Sequence, residues 1–243
     1  MTSKVKLSVI VPCYNEESRF RKGFNHYYSY FKKQNYSWEL ILVNDGSKDQ
    51  TLNLMHKLAG SKNNVKIISY KTNRGKGFAV IQGVKAAKGQ YILFTDIDYS
   101  VPIDTIESFY KYFKKGFPVV IGSRRVKGSK ILVRQNLLRE LLGRGFTFLV
   151  NLLIWGVHDA TCGFKAFNKI EAKKVFQKIT IYDWAFDAEI LFICQKLGIK
   201  FIQVPVNWRD VRGTKVSLLR DVAKSLVGIF KICLNNFFGV YSK

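Results

Sequence analysis

The sequence predicts an α/β fold with a mostly parallel central sheet flanked by helices, and three observations carry that prediction. Short apolar runs rich in strand formers alternate with helical segments five times in the first half, through short connections. Each run ends in polar or glycine-containing residues, where open parallel sheets bind ligands. Hydrophobic residues make up 47% of the 243 positions, enough for a full core and too many for a disordered chain.

Residues 6–11 read as the first strand, stopped by Pro12, and the loop Pro12-Cys-Tyr-Asn-Glu-Glu-Ser18 leads into a polar-aromatic helix over 18–33. Residues 38–43 form the second strand, ending at Asn44-Asp-Gly-Ser-Lys-Asp49, where Ser47 or Asp49 can cap a helix over 49–58. The third strand spans 65–69, and Asn73-Arg-Gly-Lys-Gly77 turns the chain into a helix over 78–87. The fourth strand, 91–95, is apolar enough to be buried on both faces and ends in Asp96 and Asp98. Pro102 suits the first position of the next helix, and 119–121 is the fifth strand, ending in Gly122-Ser-Arg124. The second half is less regular. It reads as mainly helical over 134–157, a strand at 163–167, helices over 169–176 and 184–197, a strand over 199–208, and a terminal amphipathic helix or helix pair over 218–238. Pro205 places the 199–208 strand at an edge or marks its end. No internal repeat or linker is visible, so one domain is expected.

The net charge of +23, from 40 Lys and Arg against 17 Asp and Glu, attracts nucleic acid, anionic lipid or phosphorylated ligands without choosing among them. Cys13, Cys162, Cys194 and Cys233 follow no zinc spacing and fit free thiols in a reducing compartment. His26, His56 and His158 are too few for a histidine zinc site, and His158 reads as structural. No signal peptide and no run of 18 uncharged apolar residues is present, so no spanning helix is expected. Residues 145–157 and 226–240 are strongly apolar and aromatic beside basic residues, and read either as core helices or as surfaces resting on a bilayer.

Asp96 and Asp98 stand one residue apart at a strand end. With Ile97 turned inward, both carboxylates project and repel unless a cation lies between them, and the fitting cation is a divalent metal carrying a phosphorylated substrate. A polar turn closing the strand is the bland alternative. Tyr14, Asn15, Glu16, Asn44, Asp45, Gly46, Ser47, Gly75, Lys76 and Gly77 fall at the other strand ends, on the same sheet edge, and together resemble a nucleoside diphosphate site. Taken singly, Asp45-Gly46 reads as a turn and Lys76 as a solvated charge. A nicotinamide dehydrogenase is excluded by the loop after the first strand, which has no glycine, and no Walker A motif exists.

The stretches Val9-Ile-Val-Pro-Cys-Tyr-Asn-Glu-Glu17, Val43-Asn-Asp-Gly-Ser-Lys-Asp-Gln-Thr51, Asn73-Arg-Gly-Lys-Gly77 and Asp96-Ile-Asp98 resemble inverting glycosyltransferases of family 2, with the GT-A fold. Gly122-Ser-Arg124, Asp159-Ala-Thr-Cys-Gly-Phe-Lys165, Trp184-Ala-Phe-Asp-Ala-Glu189, Val204-Pro-Val-Asn-Trp208 and Gly213-Thr-Lys215 are similar to its dolichyl-phosphate β-glucosyltransferase and polyprenyl-phosphate branch. The resemblance implies transfer of glucose from UDP-glucose to a dolichyl or polyprenyl phosphate, and divides the single domain into 1–125 for the nucleotide sugar, 126–215 for acceptor and catalysis, and a membrane-facing 216–243. It implies that Pro12, Tyr14, Glu16 and Asp45 hold the nucleoside, with Lys76 nearby, and that Asp96 and Asp98 bind Mg2+ or Mn2+ with the diphosphate. Ser100 stands where mannosyl-transferring relatives can carry a glutamine ligand. Ser123 and Arg124, helped by Arg134 and Arg139, would receive the lipid phosphate. Asp159 or Asp187 would take a proton or place the acceptor, while Glu189, like Asp187, can instead order the core. Arg212 to Lys215 would close over the diphosphate.

A phosphate monoester is already anionic at neutral pH, so it needs orientation more than deprotonation. The positives Lys115, Arg124, Arg125, Lys127, Lys130, Arg134, Arg139 and Arg144 oppose the single acid Glu140 beside the apolar 146–155 segment, which predicts peripheral or monotopic attachment at the cytoplasmic face of an anionic membrane. A GDP-mannose donor, another family 2 acceptor, a noncatalytic sugar-nucleotide sensor and a basic nucleic-acid-binding protein are the alternatives. The last lacks any RNP, KH or zinc-finger pattern, so no nucleic-acid partner is expected.

Overall fold

The computed structural model describes residues 5–183, 185–211 and 218–242, the side chains of Arg139 and 218–223 apart. Its main sheet has seven strands in the order β3-β2-β1-β4-β7-β5-β8. They are β1 (Leu7–Cys13), β2 (Trp38–Asp45), β3 (Val65–Tyr70), β4 (Tyr91–Phe94), β5 (Val119–Ser123), β7 (Lys165–Asn168) and β8 (Phe201–Pro205). The helices are α1 (Glu17–Lys32), α2 (Thr51–Ala59), α3 (Lys76–Ala86), α4 (Thr105–Lys114), α5 (Leu137–Asn151), α6 (Lys169–Gln177), α7 (Phe186–Lys196) and α8 (Leu218–Phe237). A second sheet pairs β6 (Lys130–Val133) with β9 (Asn207–Arg209) in parallel.

The central strands are continuous apolar runs because both faces are covered. On one face Val9, Val11, Leu40, Leu42 and Leu93 pack under α1, α2 and α4 with Phe20, Phe24, Met55, Ile106 and Phe109. On the other, Ile10, Ile41, Val43, Ile92 and Phe94 meet Val80, Val84, Phe176, Phe186 and Ile190.

Several boundaries differ from the sequence reading. Pro12 does not stop β1, which pairs with β2 through Cys13–Asn44 but with β4 only through Ile10–Phe94. Ile10 points its carbonyl at Thr95 N, 3.0 Å away; Pro12, two residues on, points its missing donor the same way, beyond the end of β4, where no ladder bond is lost. Pro102 is not the first helical residue either. Its carbonyl accepts from Thr105 N at 3.1 Å in a tight turn that precedes α4. β8 is an edge strand ending at Pro205, as that proline predicts.

The largest difference is β7. It runs antiparallel between β4 and β5, so its first residue, Lys165, lies opposite both Phe94 and Ile121 near their C-terminal ends. An antiparallel strand begins where its parallel neighbours finish. Segment 159–164 is therefore delivered to the edge that carries Asp96 and Arg124.

Among the described residues, no helix is long and apolar enough to cross a membrane. Both apolar segments named above are at once core and surface. Val150, Ile154 and Ile232 are buried, whereas Phe148 (66%), Trp155 (86%), Phe230 (63%) and Phe237 (82%) are exposed. Ile131, Leu132 and Val133 of β6 add exposed apolar surface. Exposure of large apolar side chains on this scale marks an interaction surface.

Candidate active site

The acid loop after β4 is fixed from below. Ile97 is turned inward as expected and is 2% exposed, and the buried Tyr27 hydroxyl donates to the Asp96 carbonyl. Tyr99 takes a positive φ of 46°, held between the His26 ring at 4.8 Å and the Arg209 guanidinium at 4.4 Å. Asp98 Oδ1 accepts from Ser100 N at 3.0 Å, so Ser100 holds this acid in place. Burial and then the neighbouring Asp96 charge push the Asp98 carboxyl above its ordinary value.

Two basic residues offset this repulsion. Lys76 Nζ lies 2.6 Å from Asp96 Oδ1, and Arg19 Nη1 lies 3.9 Å from Asp98 Oδ2. Burial opposes the Lys76 charge, but Asp96, Asp187 and Asp98 outweigh it and hold Lys76 protonated beyond the usual lysine range. Lys76 is thus paired rather than freely solvated. Arg19, absent from the sequence reading, also grips Glu16 with two bonds of 2.7 Å. An arginine three residues after an acid at a helix start was the signal for it.

The residues expected at the nucleoside surround the β1–α1 loop. Tyr14 is 37% exposed, while Asn15, at φ 52°, accepts from Lys48 N on its Oδ1 and donates its own N–H to Ser47 Oγ. Asp45 differs from the expectation. It is 3% exposed, and its oxygens accept from Arg74 N (2.8 Å), Gly75 N (2.9 Å) and Asn73 Nδ2 (2.8 Å), so it orders the turn before α3. Burial raises its carboxyl in spite of these bonds. The glycines of that turn serve packing: a Cβ on Gly75 would stand 2.4 Å from Tyr182 O, and Gly77 N donates to that same carbonyl at 2.9 Å.

Arg124 follows β5 and meets the segment before β7. Its Nε and Nη2 donate to the two Asp159 oxygens at 2.7 Å each, Nη2 also reaches Thr161 Oγ1 at 2.7 Å, and the Trp208 ring lies 5.3 Å away. Asp159 is fully buried. Burial would raise its carboxyl, but the Arg124 guanidinium wins and holds it at about 2. A carboxylate so committed is a poor proton acceptor at neutral pH; Asp159 positions Arg124 and does not fit the role of base. Ser123 is also 0% exposed, its hydroxyl accepting from Arg125 N at 3.2 Å, so it presents no side chain to an acceptor.

Asp187 opens α7 and pairs with Lys165, which is fully buried; its ammonium also donates to Cys162 O at 2.7 Å. Asp187 lies close enough to bias both Lys76 and Arg124 electrostatically. Glu189 takes the structural role: Thr180 Oγ1 and Tyr241 Oη each donate to it at 2.6 Å. His158 contributes its backbone N–H, which donates to Gln203 at 2.9 Å, while its side chain is exposed. Arg134 stands exposed after β6; the Arg139 side chain, Arg212 and Lys215 lie outside the described residues.

One segment joins these parts. Asp159 and Thr161 hold Arg124, and four residues on from Asp159 a Cβ on Gly163 would fall 2.1 Å from Asp96 Oδ2. Two carboxylates on a solvent-reaching edge are hard oxygen donors suited to Mg2+ or Mn2+. Among the described residues no set of three His, Cys, Asp or Glu side chains forms a closed metal site. The two acids therefore fit a metal that takes its remaining ligands from phosphate and water, as Mg2+ does in phosphate sites.

The sequence model described as Glycosyl transferase family 2 matches residues 8–176. A dolichyl-phosphate beta-glucosyltransferase of Dictyostelium discoideum is 32% identical over 252 residues, covering 94% of this chain and 77% of that protein. The Homo sapiens protein of the same name is 34% identical, over 87% of this chain and 69% of its own. In fold, the chain is similar to glucosyl-3-phosphoglycerate synthase of Mycobacterium tuberculosis, solved with Mn2+, UDP-glucose and phosphoglyceric acid (TM-score 0.70, 18% identity, 94% and 80% covered). It is also similar to the mannosyltransferase PcManGT of Pyrobaculum calidifontis, in complex with GDP-Man and Mn2+ (TM-score 0.65, 18% identity, 96% and 65% covered).

Proposed function

The chain belongs to glycosyl transferase family 2, and on that premise we propose that it transfers glucose from UDP-glucose to a dolichyl or other polyprenyl phosphate with inversion at the anomeric carbon. The observation that carries this reading is the segment 159–164, which bonds Arg124 through Asp159 and Thr161 and packs against Asp96 at Gly163. A guanidinium joined by one short segment to a paired-carboxylate edge suits a phosphate acceptor meeting a nucleotide diphosphate.

In this reading an acceptor phosphate oxygen attacks the anomeric carbon as the bond to the UDP β-phosphate oxygen breaks, so an α-linked donor gives a β-linked product. Arg124 has five N–H donors, and the three bonds to Asp159 and Thr161 occupy Nε and Nη2, which leaves Nη1 for the incoming phosphate. No strong base is needed because the nucleophile is already anionic. Asp187, held by Lys165, is assigned to orient the acceptor or sugar. Asp96 and Asp98 would hold Mg2+ or Mn2+, whose charge stabilises the departing diphosphate. Tyr14, with Pro12 and Glu16, lines the nucleoside position, Arg212 and Lys215 are assigned to the diphosphate, and Arg134 and Arg139 add positive charge toward the acceptor. We assign the chain to the GT-A fold, with 1–125 mainly for the nucleotide sugar, 126–215 together with Arg124 for the acceptor, and 216–243 facing the membrane.

The test is a panel of UDP- and GDP-sugars with a short polyprenyl phosphate, with and without Mn2+. UDP-glucose with Mn2+ is expected to give the fastest lipid-phosphate sugar formation; preference for GDP-mannose would replace the donor assignment, and no transfer to any prenyl phosphate would overturn the acceptor.

The exposed apolar surface of β6, α5 and α8 is assigned to the cytoplasmic face of an anionic membrane. Flotation with anionic vesicles is expected to persist at moderate salt. Trp155→Glu with Phe237→Glu, both at exposed positions, is expected to weaken association by about tenfold or more without loss of folding. Sedimentation of the unaltered protein away from such vesicles would sink this assignment.

A further inference from the structure

We propose that Lys76 is a built-in counter-cation that occupies Asp96 until a divalent ion and a diphosphate arrive together, so that one ammonium group couples metal binding to nucleotide binding. The inference rests on the metal reading of Asp96 and Asp98 given above. Lys76 Nζ bonds Asp96 Oδ1 at 2.6 Å, on the carboxylate assigned to the metal. Gly163 crowds the other oxygen: a Cβ there would stand 2.1 Å from Asp96 Oδ2 and 3.2 Å from Lys76 Nζ. The Asp96 backbone is tied to the Tyr27 hydroxyl, so the acid loop has little freedom to offer a different edge.

Of the two Asp96 oxygens, Lys76 holds Oδ1 and Gly163 crowds Oδ2. A divalent ion and an ammonium at contact distance on one oxygen repel strongly, so metal entry requires the lysine to leave. The pair remains open to solvent, with side-chain exposures of 32% for Lys76 and 35% for Asp96, so this exchange needs no unfolding. Metal arriving alone strips the ammonium of its closest partner and leaves it beside a doubly charged ion. A diphosphate changes that balance, because its oxygens ligate the metal and give the flexible lysine a new anionic partner. Metal and nucleotide should then each raise the other's affinity by the same factor.

Mn2+ binding to the full chain, followed by the electron paramagnetic resonance signal of free Mn2+ with and without UDP, tests this. Without UDP, Lys76→Met is expected to bind Mn2+ at least about fivefold more tightly than the unaltered protein, since Asp96 has lost its competing cation. UDP is expected to tighten Mn2+ binding by about tenfold or more in the unaltered protein, by less than about threefold in Lys76→Met, and to retain its effect in Lys76→Arg. Lys76→Gln, which keeps a donor without the charge, is expected to match Lys76→Met and serves in its place should the latter not fold. A purely structural lysine would not raise metal affinity when removed. Unchanged or weaker Mn2+ binding by the folded neutral variants without UDP overturns the proposal. Failure of the unaltered protein to bind Mn2+ even with UDP overturns instead the metal reading beneath it.

Discussion

Asp98→Ala is expected to lower transfer by at least about a hundredfold while the protein stays folded, because it removes half of the carboxylate pair assigned to metal and diphosphate. Asp98 contributes little to the fold. It accepts one hydrogen bond from Ser100 N and forms a looser, 3.9 Å ion pair with Arg19. Burial and Asp96 already raise its carboxyl, which means that the folded state disfavours its charge. The sign follows: an acid whose folded pKa lies above its unfolded one binds protons more readily when folded, so it subtracts from stability as pH rises through that window. Asp98→Asn should therefore melt at the same temperature as the unaltered protein or slightly above it at neutral pH, and that difference should vanish in acid, where Asp98 is protonated in both states. Thermal unfolding at two pH values beside a transfer assay separates the roles. Full activity in Asp98→Ala would sink the mechanism, and a large drop in melting temperature would show that the acid is structural.

What could be read in advance was local. Strand ends are legible because apolar runs stop abruptly, and Asp96 and Asp98 stand at such a stop. The parallel half of the sheet follows from alternation, but the antiparallel insertion of β7 does not, because a short apolar run carries no direction. That one unreadable feature puts Gly163 against Asp96 and Lys165 against Asp187. The burial of Lys165 is not legible in composition, because its partner is a distant acid 22 residues on. The turn at 73–77 reads as part of the nucleotide edge through Lys76 and its glycines together, and the close approach of Tyr182 adds a packing reason for Gly75 and Gly77 that the sequence does not carry. The β6–β9 pair escaped because it is short and joins segments far apart in sequence.

The Arg124–Asp159 pair carries the other large expectation. Arg124→Ala leaves a fully buried carboxylate without its partner, a change expected to cost about 3–5 kcal/mol of stability at neutral pH. In the intact protein, burial disfavours the Asp159 charge but Arg124 overrides it, so the folded carboxyl sits at about 2, below the unfolded value of roughly 3.9. That stabilisation is present above the unfolded pKa and is lost as pH falls toward 2. Without the Arg124 side chain, burial is opposed only by backbone N–H groups and the Arg125 charge, so the carboxyl rises; the deficit in Arg124→Ala should be largest at neutral pH and shrink by more than about half near pH 3, where Asp159 can take up a proton. Denaturant unfolding at the two pH values reads this directly, and a pH-independent deficit would mean that the pair is not what the charge is stabilised by. Arg124→Lys keeps the charge but loses the two-pronged grip, so it should retain more stability than Arg124→Ala while raising KM for the prenyl phosphate. Replacing both partners together, as Arg124→Met with Asp159→Leu, removes the unpaired charge and should restore most of the stability. If Arg124 also receives the acceptor phosphate, transfer stays lost in that double variant although the fold returns; transfer at the original rate would remove Arg124 from the acceptor site.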